Sequence, residues 1–205
     1  MSRLRRAAIA LGRQGRRRKP ARDLPALWLV IDPARIADPL AAVRALPRGA
    51  GVIYRAFGAA DGLEVALALR RLTHRGGLTL LIGADARLAS AARADGVHLP
   101  QRAMDRAIGL RRAHPLWLIT SAAHDARAIR RGRRFDLDAL LVSVVFESRS
   151  PSAGAALGPI RFAALIRGAR TPVIALGGVN EETAPRLART GARGLAAVEG
   201  LNASA

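Results

Sequence analysis

The chain has 205 residues, half of them hydrophobic, with 34 Lys and Arg against 15 Asp and Glu, a formal charge of +19 and no cysteine. That length carries a domain with a buried core, and the missing cysteines exclude disulfides, thiolate metal sites and a thiol nucleophile. No apolar run approaches the roughly 18 residues of a membrane-spanning helix, which leaves the cytoplasm as the default compartment.

So large a positive charge invites nucleic acid as a partner, because basic surfaces bind phosphate backbones by releasing counterions. Lys19 is the only lysine, however, and the arginines are scattered through an alanine-rich chain, which is the pattern of compositional bias. There is no zinc-ligand spacing, no basic region with heptads and no run of aromatics for base stacking. The expectation is no specific nucleic-acid recognition, with weak polyanion binding through the basic N-terminus.

Residues 1–23 stand apart from the rest. Arg3, Arg5, Arg6, Arg13, Arg16, Arg17, Arg18, Lys19 and Arg22 face a single acid, Asp23. Leu4, Ala7, Ala8 and Leu11 recur at helical spacing, so this segment reads either as a solvated, disordered tail or as a short amphipathic helix ahead of Pro20. Its mostly alanine face favours the tail.

From residue 24 to 205, short apolar runs alternate with amphipathic stretches. The runs are Ala26 to Ile31, Gly51 to Tyr54, Leu78 to Ile82, Gly96 to Leu99, Leu116 to Ser121, Ala139 to Val142, Val173 to Leu176 and Gly194 to Ala197. Between them, helical patterns cover Pro39 to Leu46, Leu63 to His74, Arg87 to Arg93, Met104 to His114, Asp125 to Arg131, Pro159 to Gly168 and Glu181 to Thr190. Apolar strands alternating with helices imply a parallel sheet buried on both faces. Eight such units predict a closed (β/α)8 TIM barrel. An open doubly wound sheet is the second choice, but no G-x-G-x-x-G follows the first strand. The chain ends soon after the eighth strand, so the last helix is expected to be short or missing, leaving a thin flank that hints at a partner subunit.

Thr171 to Thr183, T-P-V-I-A-L-G-G-V-N-E-E-T, reads as a buried strand, a glycine turn and a helix start. Gly177 and Gly178 let backbone N–H groups approach an anion, and the helix start adds unpaired donors, which together suit phosphate. Turn geometry alone also accounts for a Gly-Gly pair.

At Ala94 to Gln101, A-D-G-V-H-L-P-Q, the chain resembles the A-D-G-V-H-L-G-Q segment of the thiamine-phosphate synthase and thiazole tautomerase family. Leu141 to Gly158 and the P-V-x-A-x-G-G pattern of Thr171 to Val179 agree with it in order and spacing. The resemblance implies a barrel with ligands at the C-terminal ends of its strands. It also implies a reaction joining a pyrimidine pyrophosphate to a thiazole phosphate, with Mg²⁺ on the pyrophosphate. The family's Asn-Asp metal pair falls on Gly83 and Ala84, however, and its second aspartate falls on Ala103. Only a neighbouring acid, Asp85, is left to swing in. No metal site is assigned, and Mg²⁺ lacks its family ligands.

By the same resemblance, the phosphate would lie at Gly177 and Gly178, with Ser148 and Ser150 from the loop after the sixth strand. Arg55, His98 and Arg149 are the substrate contacts that carry over. The lysine of that sixth loop is Pro151, the serine of the S-x-H turn ahead of His124 is Ala122, and Glu199 stands where relatives have a small hydroxyl residue. The tautomerase histidine at the end of the sixth strand is Val144, so no catalytic residue is assigned. The expected function is binding of a phosphorylated thiazole or thiamine-type ligand with the synthase machinery depleted. The alternative is a non-catalytic ligand-binding or interaction protein on the barrel scaffold.

Overall fold

The computed structural model describes residues 2–14, 23–33, 35–148 and 154–198. Eight parallel strands close into a barrel in sequence order: β1 (Leu27–Ile31), β2 (Gly51–Tyr54), β3 (Thr79–Gly83), β4 (Gly96–Leu99), β5 (Leu118–Ala123), β6 (Ala139–Val142), β7 (Val173–Ala175) and β8 (Gly194–Ala197). An N-terminal helix, α1 (Arg3–Gln14), precedes them. The crossovers carry α2 (Pro39–Arg44), α3 (Gly62–Gly76), α4 (Ala86–Ala91), α5 (Ala107–Ala113), α6 (Ala126–Gly132) and α7 (Gly158–Ile166). This is the predicted (β/α)8 barrel. Strand five starts two residues later than expected, and Leu116, read as part of it, is 89% exposed in the turn before it.

Successive strand residues alternate between two cores. Trp28, Val30, Ile53, Leu81, Leu118, Ala139, Leu141, Ile174 and Ala196 fill the barrel interior, while their neighbours pack outward on the helices. Trp28 plugs the floor. Its indole N–H donates to the Pro25 carbonyl at 2.7 Å, and a Cβ on Gly51 would come within 2.3 Å of its ring, so the plug requires glycine on the adjacent strand.

Two arginine-carboxylate clamps tie helices to strand starts. Arg70 of α3 pairs with Asp95 at 3.0 Å, and that carboxylate also accepts the Leu80 N–H. In the same way Arg111 of α5 pairs with Asp138 at 2.7 Å, and Asp138 accepts the Ile119 N–H at 2.7 Å. Arg111 also reaches Asp136 and the Trp117 carbonyl. Asp138 and Arg111 are charged, yet their side chains are only 7% and 13% exposed. The aspartate ahead of the G-V-H-L run is thus a structural clamp.

The N-terminal segment differs most from the solvated reading. Over Arg3–Gln14 it is a helix whose Leu4, Ala8 and Leu11 are buried. Its first turn is capped by Ser2 Oγ and by the Glu181 carboxylate, which accepts the Arg3 N–H at 2.7 Å and the Leu4 N–H at 3.3 Å. Its last turn lies by the barrel floor, where a Cβ on Gly12 would come 3.1 Å from both the Ala26 side chain and the Arg193 guanidinium. The helix therefore runs antiparallel to the strands, over β8 and β1. It takes the position and direction of a helix after β8, so the flank that suggested a partner subunit is covered from within the chain.

After β7 the expected helix of Glu181 to Thr190 is only a 3-10 turn, Ala184–Leu187. Pro185 has no N–H to donate, and an α-helix started at Glu181 would place its ring against the preceding turn. Asn180 and Thr183 stabilise the shorter form. Asn180 Oδ1 accepts the N–H groups of Glu182 and Thr183, and Thr183 Oγ accepts that of Asn180.

Candidate functional site

At the C-terminal ends of the strands a cleft of about 280 Å³ opens between the loops after β6, β7 and β8. Gly177, Gly178 and Ser148, three of the expected phosphate contacts, line it together with Arg35, Glu147 and Asn180. Ser150 and Arg149, the other predicted contacts of that loop, lie outside the described residues, as do Pro151 and Glu199. A larger cavity of about 380 Å³ lies at the opposite end, between α1 and the barrel floor. Barrels of this type place ligands at the strand C-termini, and the smaller cleft is the one there.

The glycine pair has a packing reason of its own. Both residues have positive φ, +96° and +62°. A Cβ on Gly178 would come within 2.2 Å of the Glu147 carbonyl oxygen, and one on Gly177 within 3.0 Å of Val144 Cα. Phe146 N–H donates to the Gly177 carbonyl at 3.0 Å, so the loop after β6 is laid on this turn. The N–H groups of Gly177, Gly178 and Val179 have no acceptor among the described residues. Successive backbone donors of that kind form an anion-binding concavity.

Arg55 and His98 form a separate polar group across the mouth. The stem of Arg55 crosses Gly83 and its guanidinium lies 3.7 Å from Asp32 and 4.4 Å from the centre of the Phe57 ring. Burial lowers its pKa from the ordinary value, with Asp32 opposing the shift. His98 Nδ1 sits 2.9 Å from Thr120 Oγ. Burial, helped by the charges of Arg55 and His124, pushes the His98 pKa down to about 3, so its ring is neutral near neutrality.

The linkage sign follows. Between pH 6.5, the ordinary histidine value, and about 3, the unfolded chain binds a proton at His98 that the folded one does not. Folded stability therefore falls as the pH drops through that window. Thermal melts across it will show an acid loss that His98→Gln reduces. An unchanged acid limb would place the loss on other groups.

Gly83 and Ala84, where the resemblance implies a metal-binding pair, carry no side-chain donors. Ala84 adopts φ +64°, a left-handed conformation that Asn and Asp tolerate better than alanine. Asp85 does not turn into the mouth: its carboxylate caps α4, accepting the Leu88 N–H at 2.9 Å. Among the described residues no group of three His, Asp or Glu side chains converges to hold a metal ion. Mg²⁺ favours hard oxygen ligands including one or two carboxylates, and Gly83, Ala84 and Ala103 offer none.

The ends of β5 and β6 bring together a pair that sequence reading did not join. His124 Nδ1 lies 3.0 Å from Ser143 Oγ, although the two are nineteen residues apart. The His124 N–H donates to Gln101 Oε1 at 2.8 Å, and Gln101 also donates to Asp125. Asp125 accepts the Ala128 N–H at 2.7 Å, and that bond holds its pKa below the usual carboxylate value. His124 lies just ahead of the α6 cap, Asp125, and only the barrel's strand register brings Ser143 to it.

Known proteins are similar to this chain in sequence and in fold. Residues 27–201 match the family profile described as thiamine monophosphate synthase. A thiamine-phosphate synthase from Chloroflexus aurantiacus is 34% identical over 143 residues, which cover 69% of this chain and 66% of that protein. A putative one from Geobacter sulfurreducens is 35% identical, with 66% of its length covered. The chain thus spans just under two thirds of the length of these relatives. One from Herpetosiphon aurantiacus is 30% identical over 182 residues, covering 85% of this chain and 87% of its own. The solved structure of a thiamine phosphate pyrophosphorylase from Pyrococcus furiosus superposes with a TM-score of 0.72 at 20% identity, covering 89% of each chain, and so matches the fold. With a profile match running from the first strand to beyond the eighth, the chain belongs to the thiamine monophosphate synthase family.

Proposed function

We propose that the chain binds a phosphorylated thiazole or thiamine-type molecule, with the phosphate on the N–H groups of Gly177, Gly178 and Val179, and that it lacks the metal-assisted transfer of its synthase relatives. The observation that carries this reading is the turn after β7, where those donors line a cleft beside Arg35 and Ser148. A hydroxyl and a guanidinium at such a turn add charge-assisted hydrogen bonds to a phosphate. Glu147, on the same cleft, opposes a second anionic group, which favours a monophosphate over a pyrophosphate. The non-catalytic alternative draws support from the donor set, since Gly83, Ala84 and Ala103 leave Mg²⁺ without its family ligands.

Calorimetric titration of thiazole phosphate and of thiamine phosphate into the full chain, with and without Mg²⁺, tests the reading. Binding is expected, with Kd unchanged by Mg²⁺ and weakened about tenfold by Ser148→Ala or Arg35→Ala, the loss of one charge-assisted bond. Gly178→Ala is unsuited as the variant because its Cβ would meet the Glu147 backbone. No binding of either ligand would reject the proposal, and Mg²⁺-dependent release of pyrophosphate from a pyrimidine pyrophosphate would reject its second half.

A further inference from the structure

The outer wall of the barrel carries a concentrated positive face on α6. Arg127, Arg130 and Arg131 lie at i, i+3 and i+4 and share one side of the helix, while Ala128, Ile129 and Gly132 on the other are buried. The backbone keeps turning past the helix end, with the Arg134 N–H donating to the Arg131 carbonyl at 3.0 Å, so Arg134 follows on the same side. The 3-10 turn Gln101–Arg106 lies alongside, because its Asp105 is 4.0 Å from Arg131, and it adds the exposed Arg102 and Arg106.

Arginines that pack against the barrel are matched by acids: Arg55 by Asp32, Arg70 by Asp95, Arg111 by Asp136 and Asp138. On this face only Arg131 is matched. Arg102, Arg106, Arg127, Arg130 and Arg134 have no ion-pair partner among the described residues, and Asp125 is engaged in capping α6. Helix electrostatics does not account for the cluster. A cation suits the last turn of a helix, but Arg127 stands in the first turn of α6, where it opposes the dipole and no acid accompanies it. Arg127 and Arg131, like Arg130 and Arg134, are also equal charges four residues apart, which repel. An external polyanion relieves both.

We propose that this face docks on the phosphate backbone of a duplex nucleic acid without reading its sequence. Guanidinium forks suit phosphate oxygens, and a duplex, with one negative charge per about 1.7 Å of its axis, is dense enough to meet every arginine of the face. Contacts of that kind position a protein but carry no sequence information. Single strands are held by stacking bases on aromatic rings. The aromatic ring at this face, Phe135, packs on the core with the Arg131 guanidinium 5.6 Å from its centre. Helices that lie on membranes bury an apolar face in the lipid, and the apolar residues of α6 are already buried in the barrel. The proposal is independent of what occupies the cleft at the mouth.

The test follows binding of the full chain to a short fluorescent DNA duplex of mixed sequence by anisotropy, at salt from about 50 to 200 mM. The five arginines without an ion-pair partner predict a slope of log K against log salt of about −4 to −5, at roughly 0.9 per phosphate neutralised. Arg127→Gln alone is expected to make the slope shallower by about 1. Combining it with Arg130→Gln and Arg134→Gln is expected to make it shallower by about 3, with binding at least about tenfold weaker at the lowest salt. A control of equal net charge combines Arg44→Gln, Arg71→Gln and Arg75→Gln, exposed positions on α2 and α3. Since α2 follows β1 and α6 follows β5, the control lies toward the far side of the closed barrel. Screening at that distance is expected to keep its affinity within about twofold of the wild type. The single Arg127→Gln change keeps the test decisive should the triple variant fail to fold. Equal losses in the two triple variants would overturn the proposal, because net charge alone would then do the binding. A preference between two duplexes of different sequence would overturn it as well, as would no duplex binding at the lowest salt, whether or not phosphatidylserine vesicles are bound.

Discussion

A chain lacking residues 1–14 melts at least 10 °C below the full chain, by the following estimate. Leu4 and Leu11 are each 1% exposed and Ala8 2%. A fully buried leucine contributes about 1.5–3 kcal/mol, and in a chain of this size about 1 kcal/mol moves the melting temperature by roughly 2–4 °C. Two leucines, the alanine and the apolar strand surface they cover therefore amount to about 5 kcal/mol. The helix caps add to this on the same side. Leu11→Ala alone is expected to cost about 2–5 kcal/mol, the range for a leucine cavity. Thermal melts followed by circular dichroism measure both. A truncated chain that melts with the full one would show that α1 contributes nothing to the fold. The same result bears on polyanion binding: removing this segment to test a basic tail would also uncover the core, so charge-reversing substitutions at exposed Arg3 and Arg5 are the cleaner probe.

Arg111→Ala is expected to destabilise the chain by about 3–5 kcal/mol, the cost of leaving a buried charge without its partner. Asp138 is 7% exposed, and the substitution takes away its guanidinium while keeping the carboxylate inside. Asp138→Ala should cost less, since Arg111 keeps the Asp136 carboxylate and the Trp117 carbonyl while the Ile119 N–H loses its acceptor. The double substitution should cost less than the sum, because either single change already breaks the same ion pair. Urea unfolding of the four proteins gives the coupling directly. Additive losses would mean that the two groups act independently despite their 2.7 Å contact.

The barrel was legible because its strands are apolar on both faces and separated by helical periodicity. The runs at Gly51–Tyr54, Gly96–Leu99, Ala139–Val142 and Gly194–Ala197 have the bounds read from sequence. Three things were not legible. Leu4, Ala8 and Leu11 form a modest apolar face, and no local pattern tells that β8 needs a cover which they supply. Asp138 and Arg111 are charged residues at helix and loop positions, where solvent is the ordinary expectation; burial came from a partner twenty-seven residues away. Glu181–Thr190 had the composition of a helix start, but Pro185 and the Asn180–Thr183 bonds shortened it to a 3-10 turn.

The site was legible in part. Gly177, Gly178 and Ser148 meet at one cleft because they sit at corresponding ends of neighbouring strands, which a repeating fold makes predictable. Arg55 and His98 belong to the same mouth but to another sector, and His98 is tied to Thr120. The pairing of His124 with Ser143 depends on the offset between β5 and β6, which sequence spacing does not encode.

The cap that Glu181 places on the first turn of α1 joins residues 178 and 177 positions apart. Helix α1 therefore finds its full seat only once the Glu181 turn and β8 are in place, and the β1–β8 seam closes beside it. Barrel closure and helix docking are therefore expected to be coupled. A fault at either end of the chain should be felt at the other: in native-state hydrogen exchange, Glu181→Ala would loosen the amides of Arg3 and Leu4 together with those of β8, while β3 and β4 on the far side keep their protection.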